Sequence, residues 1–291
     1  MRSEPRLVSV VVAVLDEEEH LGEQLAALAE QTYRGAWEVL VVDNGCTDGS
    51  IAVALGFAEQ LPGLRIVAAP ERRSLAHAKN RGAAEARGDL LAFCDADDVV
   101  SPGWLEALVS AARTADVVGG TFELETLNDP LSRAWRPGQA QRELTRYHRY
   151  LPAVPGGNSA VWADVARELG WDEWFRCGGE DQDFSWRAQL ASYELAFAPG
   201  AVVRLRYRTR LRDLARQWYG YGVVAPRLYR SFRPLGMPGP DLHEALAAWR
   251  WLARRSIRLL PSREGRGNWL RIASLRTGRL VGSIRHRVLF P

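Results

Sequence analysis

Short apolar runs alternate with polar, turn-rich segments over the first hundred residues. Residues 8–14 are dominated by valine, the composition of a buried strand. Asp16 is read as the cap of a following helix, with Glu19 three residues on completing a capping box. Leu21, Leu25 and Leu28 then share one helical face. Residues 38–42 form a second strand that stops at Asp43, before the polar turn Asn44-Gly45-Cys46-Thr47-Asp48-Gly49-Ser50. A third strand is predicted at 64–68, a helix at 75–86 and a fourth strand at 90–94. Strands alternating with helices imply right-handed crossovers and a mostly parallel sheet. Asp43 and Asp95 then both end strands on one rim, where open α/β sheets bind ligands.

The fourth strand runs into Asp95-Ala96-Asp97-Asp98, three carboxylates within four positions. Like charges so close repel unless a cation sits among them. Carboxylate oxygens suit Mn²⁺ or Mg²⁺, ions that also bridge phosphate oxygens. The cluster suggests a metal–diphosphate site, with a solvated acidic turn as the alternative, and Asp98 is read either as a support behind the metal ligands or, by preference, as a helix-start residue.

Four segments, in this order, resemble the family 2 glycosyltransferases. They are Ala13-Val14-Leu15-Asp16-Glu17-Glu18, Val41-Val42-Asp43-Asn44-Gly45-Cys46-Thr47-Asp48-Gly49-Ser50, the stretch from Ala76-His77-Ala78-Lys79-Asn80-Arg81-Gly82 to Asp98, and Gly178-Gly179-Glu180-Asp181-Gln182-Asp183-Phe184-Ser185-Trp186-Arg187. The resemblance covers roughly residues 6–222. It implies a GT-A-type α/β fold, a mostly parallel twisted sheet flanked by helices. A glycosyltransferase domain is expected over 1–222, with a nucleotide half (1–100) and an acceptor half (101–222), followed by a basic helical extension over 223–291. The implied reaction is transfer of a single sugar, with inversion, from a UDP-, GDP- or dTDP-linked donor to a saccharide or lipid-linked acceptor. By the same resemblance Asp43 reads the base, and Ala13, Val14, Asp16 and Asn80 line its pocket. Asp95 faces the ribose and Asp97 holds Mn²⁺ or Mg²⁺. Asp181 is the general base, with Glu180 its acidic neighbour, and Gly157, Asn158 and Trp162 lie on the acceptor side. Lys79 and Arg81 are read either as phosphate contacts or as an exposed helix face. Trp171 and Trp174, like Trp162, either stack on sugar or pack in the core. Two departures stand out. Leu205 occupies the register where many family members carry a metal-binding His, and Arg216-Gln217-Trp218 only partly matches the processive enzymes' Gln-x-x-Arg-Trp.

Composition narrows the alternatives. Apolar content of 47% with 25% charged residues is that of an ordinary globular chain. The net charge of +3 conceals a division: from Arg204 onward there are 20 arginines against 4 acids, and before it 18 basic against 31 acidic residues. The basic part is expected to meet an acidic partner. The pattern from Trp269 to Phe290 reads as an amphipathic basic helix, equally suited to an anionic membrane surface or to packing on the domain. Nucleic acid is disfavoured because no recognised nucleic-acid module accompanies the charge. Cys46, Cys94 and Cys177 lack Cys-x-x-Cys spacing, which argues against zinc and disulfides and for a reducing, cytoplasmic setting, with a place on the inner membrane face open to the basic tail. No stretch has the ~20 apolar residues of a membrane span. A nucleotidyltransferase would need a Gly-rich basic loop where Asp16-Glu17-Glu18-Glu19 stands. The remaining alternative is a non-catalytic nucleotide-sugar-binding or scaffold subunit.

Overall fold

A computed structural model describes residues 2–136, 138, 142–176 and 178–291, so Cys177 lies outside the described residues. Its ten strands are β1 (Val8–Val14), β2 (Trp37–Asp43), β3 (Arg65–Ala68), β4 (Leu90–Asp95), β5 (Val99–Val100), β6 (Val117–Glu123), β7 (Thr145–Arg146), β8 (Pro152–Ala153), β9 (Asn158–Trp162) and β10 (Leu195–Arg204). The helices are α1 (Leu21–Ala29), α2 (Ser50–Leu55), α3 (Leu75–Glu85), α4 (Trp104–Ala112), α5 (Pro130–Trp135), α6 (Ala163–Leu169), α7 (Glu180–Leu190), α8 (Leu211–Phe232), α9 (Leu242–Leu259) and α10 (Arg263–His286).

Eight strands form one sheet in the order β3-β2-β1-β4-β9-β6-β10-β5, and β7 pairs with β8 in a small hairpin. The first four sheet strands are parallel, as the strand–helix alternation requires. Register places Ala13 beside Asp95 and Val14 beside Asp43, so the strand-end carboxylates share one rim. Helices cover both faces, which is why β1 and β4 are continuous apolar runs. Val8, Val10, Val12, Leu90 and Leu91 have no exposed surface, and Leu21, Leu25 and Leu28 seal one face from α1. Strand β9 runs antiparallel to β4, pairing Asn158 with Cys94 and Trp162 with Leu90. It therefore starts at the carboxylate rim and ends at the opposite one.

A second, smaller core joins Phe175, Trp186, Val224, Leu228, Phe232 and Phe290. Helix α10 lies along α8 with the backbones in close approach. A Cβ at Gly222 would collide with the Leu275 carbonyl, and one at Gly278 with the Tyr219 carbonyl. For α10, then, packing on the domain is what the structure shows. Asp241 caps α9, accepting the Glu244 N–H at 3.0 Å. The box expected at Asp16 and Glu19 does not form: α1 begins at Leu21 without a side-chain cap. Asp16 instead adopts φ +56° and turns its carboxylate to the next loop.

Candidate active site

The rim is assembled from chain reversals that follow β1, β2 and β4. Asp16 accepts the Thr47 N–H at 2.6 Å and its hydroxyl at 3.1 Å, fastening the first reversal to the second. Asp43 accepts the Gly45 and Cys46 N–H groups at 3.0 and 2.8 Å, closing its own turn. Asn44 donates to the carbonyls of Ala69 and Arg72 and accepts the Ser74 N–H, tying in the loop after β3. Val14 is buried, with its carbonyl accepting the Asn44 N–H. It shapes the rim from below, whereas Ala13 is half-exposed beside Asp95.

Asp95, Asp97 and Asp98 bring carboxylate oxygens within 4.8 Å of one another. The turn that carries them is held from two sides. Gln24, fully buried on α1, donates to the Asp95 carbonyl at 2.9 Å and accepts the Val100 N–H at 3.0 Å. Arg206 donates its backbone N–H to Asp98 at 2.7 Å and its Nε to the Asp97 carbonyl at 2.9 Å. Asp98 is buried and leads into β5, not into a helix, which corrects the sequence expectation. Glu17 joins the group. Burial, then the charge of Asp97, pushes it up to about 7. Burial and Asp97 likewise raise Asp95 to about 6, against the pull of Lys79. Asp98 is raised by burial and by both neighbouring aspartates.

This donor set fits a hard divalent cation. It is all oxygen, its members repel without one, and Asp98 Oδ2 is buried with no partner among the described residues. Leu205 supplies no ligand; its backbone pairs with Glu123 and Asn128. Three residues on, Arg208 meets Asp97 at 3.1 Å. Arg208 is also the one cationic side chain, histidine aside, lining a cleft of ≈ 310 Å³ otherwise walled by Asp16, Glu17, Glu18, Glu19 and Asp48. A larger cavity of ≈ 460 Å³ near Trp171, Asp183 and Phe232 contains none of these carboxylates.

The opposite wall is the start of α7. Gly178 and Gly179 have φ of +93° and +92°, a left-handed pair that turns the chain into the helix. Glu180 is withdrawn from solvent and paired with Lys79, Nζ to Oε1 3.5 Å, each side chain under 5% exposed. Lys79 is thus neither a phosphate contact nor an exposed residue of α3. Breaking such a pair from one side typically costs about 3–5 kcal/mol. Asp181 is pushed up to about 7 by burial and then by Glu180. Adjacent glycines join the two walls. A Cβ on Gly157 would strike the Asp95 carboxylate, and one on Gly156 would lie 3.4 Å from Asp181 Cβ. Asp95 and Asp181 therefore both lie against a single dipeptide.

Three expected site residues belong elsewhere. Asn80 spans α3 and the 171–173 loop, donating to the Trp171 carbonyl and Glu173 and accepting the Trp171 N–H. Asn158 is fully buried, accepting from Trp104 Nε1 and donating to the carbonyls of Thr121 and Ala201. Trp162 is 5% exposed at the far rim, its N–H spent on the carbonyls of Ala112 and Ala115. Trp171 stacks on Phe184 in the core. Glu17, Gln24, Arg206 and Arg208 were not singled out from the sequence. Only Glu17 carried a signal, its place in the acidic run after β1.

A half-parallel sheet with carboxylates on its C-terminal rim and a facing acidic helix start is the architecture of a GT-A-type glycosyltransferase. The chain belongs to glycosyltransferase family 2. The model described as "Glycosyl transferase family 2" matches residues 9–170, and "Glycosyl transferase family group 2" matches 90–262. Glycosyltransferase AglE of Haloferax volcanii is 31% identical over 205 residues, 69% of this chain and 67% of AglE. The pre-mycofactocin glycosyltransferase of Mycobacterium tuberculosis is 30% identical over 197 residues, 62% of this chain, which spans only 40% of that relative's length. In three dimensions the chain is similar to the mannosyltransferase PcManGT of Pyrobaculum calidifontis, solved with GDP-Man and Mn²⁺. The TM-score is 0.62 at 20% identity, over 96% of this chain and 88% of that one.

Proposed function

We propose that this glycosyltransferase moves one sugar, with inversion, from a nucleotide-sugar to a saccharide or lipid-linked acceptor, with Asp181 as general base. The observation that carries the reading is the pair Gly156-Gly157, adjacent residues of which the first packs against Asp181 and the second against Asp95. An acceptor hydroxyl beside Asp181 would then be within reach of a donor held at Asp95 and Asp97. Asp97, with Asp95 and Asp98 beside it, would hold Mn²⁺ or Mg²⁺, whose charge offsets that of the diphosphate leaving group. Asp43 would accept from the base, and Ala13 and Asp16 would line that pocket. Asp181 takes the proton of the attacking hydroxyl, which bonds to the anomeric carbon from the face opposite the departing diphosphate. Inversion follows from that single displacement. Lys79 holds Glu180 in place and tempers the charge next to Asp181. Similarity to a mannosyltransferase bound to GDP-Man supports a nucleotide-sugar donor.

The test pairs binding with turnover. Asp181→Asn keeps size and hydrogen bonding but removes the base, so transfer should fall ~10²-fold or more. UDP-, GDP- or dTDP-sugar with Mn²⁺ should still raise the melting temperature of the variant as it does that of the wild type. Wild-type turnover in Asp181→Asn, with a loss in Glu180→Gln, would transfer the role to Glu180.

A further inference from the structure

Most arginines of the basic C-terminal region have an evident partner or open solvent. Arg276 bonds Glu244 at 2.5 Å, and Arg227 reaches Asp172 at 3.5 Å. Arg271 differs, together with Arg136 at the end of α5. Both guanidinium groups lie over the Trp218 ring, 6.0 and 4.9 Å from its centroid, and Arg136 also covers Tyr207 at 4.9 Å. Among the described residues no carboxylate pairs with either arginine. Arg271 has one amide partner, the Asn268 Oδ1 at 3.0 Å. Its Nε and the Trp218 Nε1 are buried N–H donors with no acceptor among the described residues. Two like charges and two orphaned donors in one place are costly unless an anion completes them.

Their position relates this cluster to the acceptor side of the reaction. Trp218 meets Tyr221 edge-on at 5.7 Å. Tyr221 packs on Gly178, where a Cβ would come within 2.7 Å of its ring, and Gly178 opens the turn that presents Asp181. Tyr207, under Arg136, immediately precedes Arg208, the residue on Asp97. The cluster is thus linked through Tyr221 to the glycine turn that leads into α7 and Asp181.

We propose that Arg136, Arg271 and the Trp218 N–H bind a phosphate group carried by the acceptor. Planar guanidinium forks match phosphate oxygens bidentately, and two of them balance the roughly −1.5 to −2 charge of a phosphomonoester at neutral pH. The phosphate would anchor the acceptor while its hydroxyl approaches Asp181. Both a lipid phosphate and a sugar phosphate have this chemistry. The inference rests on the glycosyl-transfer reading for the word acceptor, but the anion site itself does not depend on it.

Calorimetric titration separates the two. Inorganic phosphate should bind the wild-type protein, and still bind when a nucleoside diphosphate and Mn²⁺ saturate the donor site. Arg271→Met and Arg136→Met, which keep the aliphatic packing on Trp218, should each weaken phosphate at least tenfold. Arg271→Lys, keeping charge without the fork, should fall in between, and the exposed Arg216→Ala should bind as wild type. A short prenyl hexosyl phosphate and a hexose 1-phosphate, each carrying sugar hydroxyls, are titrated in the same way: the one that exceeds inorganic phosphate tenfold marks the acceptor class. Competition between phosphate and the nucleoside diphosphate would reassign the arginines to the donor and overturn the proposal. So would undiminished phosphate binding in folded Arg136→Met and Arg271→Met. Failure of the wild type to bind any nucleotide with Mn²⁺, while phosphate still binds through the two arginines, would remove the glycosyl-transfer reading and leave the anion site standing.

Discussion

Arg208 shows how a single side chain sets the resting electrostatics of the site. Its guanidinium pairs with Asp97, the residue proposed to hold the metal, and two cations on one carboxylate repel. Arg208→Ala should therefore tighten Mn²⁺ binding in the absence of nucleotide by on the order of fivefold, the worth of a half-exposed ion pair near 1 kcal/mol. Calorimetry with MnCl₂ alone measures it; weaker binding in the variant would mean that Arg208 organises Asp97 for the metal. Asp181 supplies a second residue-scale expectation. Burial and Glu180 raise it from the ordinary aspartate range to about 7, and a base must be ionised to accept a proton. Transfer should then be full above pH 7 and decline about tenfold per unit below it, as read from the pH dependence of kcat/KM. An acid limb near pH 4 would place the titrating group elsewhere.

At the scale of elements, the crossing of α8 and α10 depends on absent side chains. Gly222 and Gly278 let the backbones meet, and any Cβ there enters a carbonyl of the opposite helix. Gly278→Val should push the helices apart and cost about 1–3 kcal/mol, the usual penalty of overpacking, read as a lower denaturation midpoint. An unchanged midpoint would mean that the crossing relaxes freely. The periodicity of apolar residues from Trp269 to Phe290 contains α10 but not its partner. An amphipathic stripe has the same spacing whether lipid or another helix covers it. Strand and helix positions in the first hundred residues, by contrast, follow the sequence to within about two residues at most ends, because buried parallel strands must be continuous apolar runs. The helix cap at Asp16 does not follow. A carboxylate able to cap a helix is equally able to bind the Thr47 N–H, and the neighbouring loop competes successfully.

For the molecule as a whole, the charge division acquires a location. Among the described residues no helix is long and apolar enough to cross a membrane. On α9, however, Leu242, Leu246 and Ile257 are 52%, 56% and 85% exposed, and Arg250, Arg254 and Arg255 are exposed beside them. That combination suits an anionic lipid surface, where each basic residue contributes about 1 kcal/mol. We expect co-sedimentation with anionic but not neutral vesicles and release in 1 M salt, where screening falls to ~3 Å. Leu246→Glu with Ile257→Glu should abolish it without lowering the melting temperature, since neither side chain is buried. Binding that survives both changes would move the contact to another face.

The sequence by itself determined the elements, the parallel half-sheet and the carboxylates at its rim. Apolar runs, turn residues and acidic strand ends are local properties with local physical causes. It also carried the resemblance that named Asp95, Asp97 and Asp181. It did not contain the roles of Lys79, Arg208, Arg136 or Arg271. A lone basic residue has the same local signature whether it is solvated, paired in the interior or poised over an indole. Nor did it separate Asn158 and Trp162 from the acceptor side: strand direction carries Trp162 to the far rim, and burial spends the Asn158 amide on Trp104 and two carbonyls. Those assignments depend on contacts between residues far apart in the chain, such as Lys79 with Glu180, 101 positions on. Only the tertiary structure brings such pairs together, and desolvation there fixes which charges must have partners.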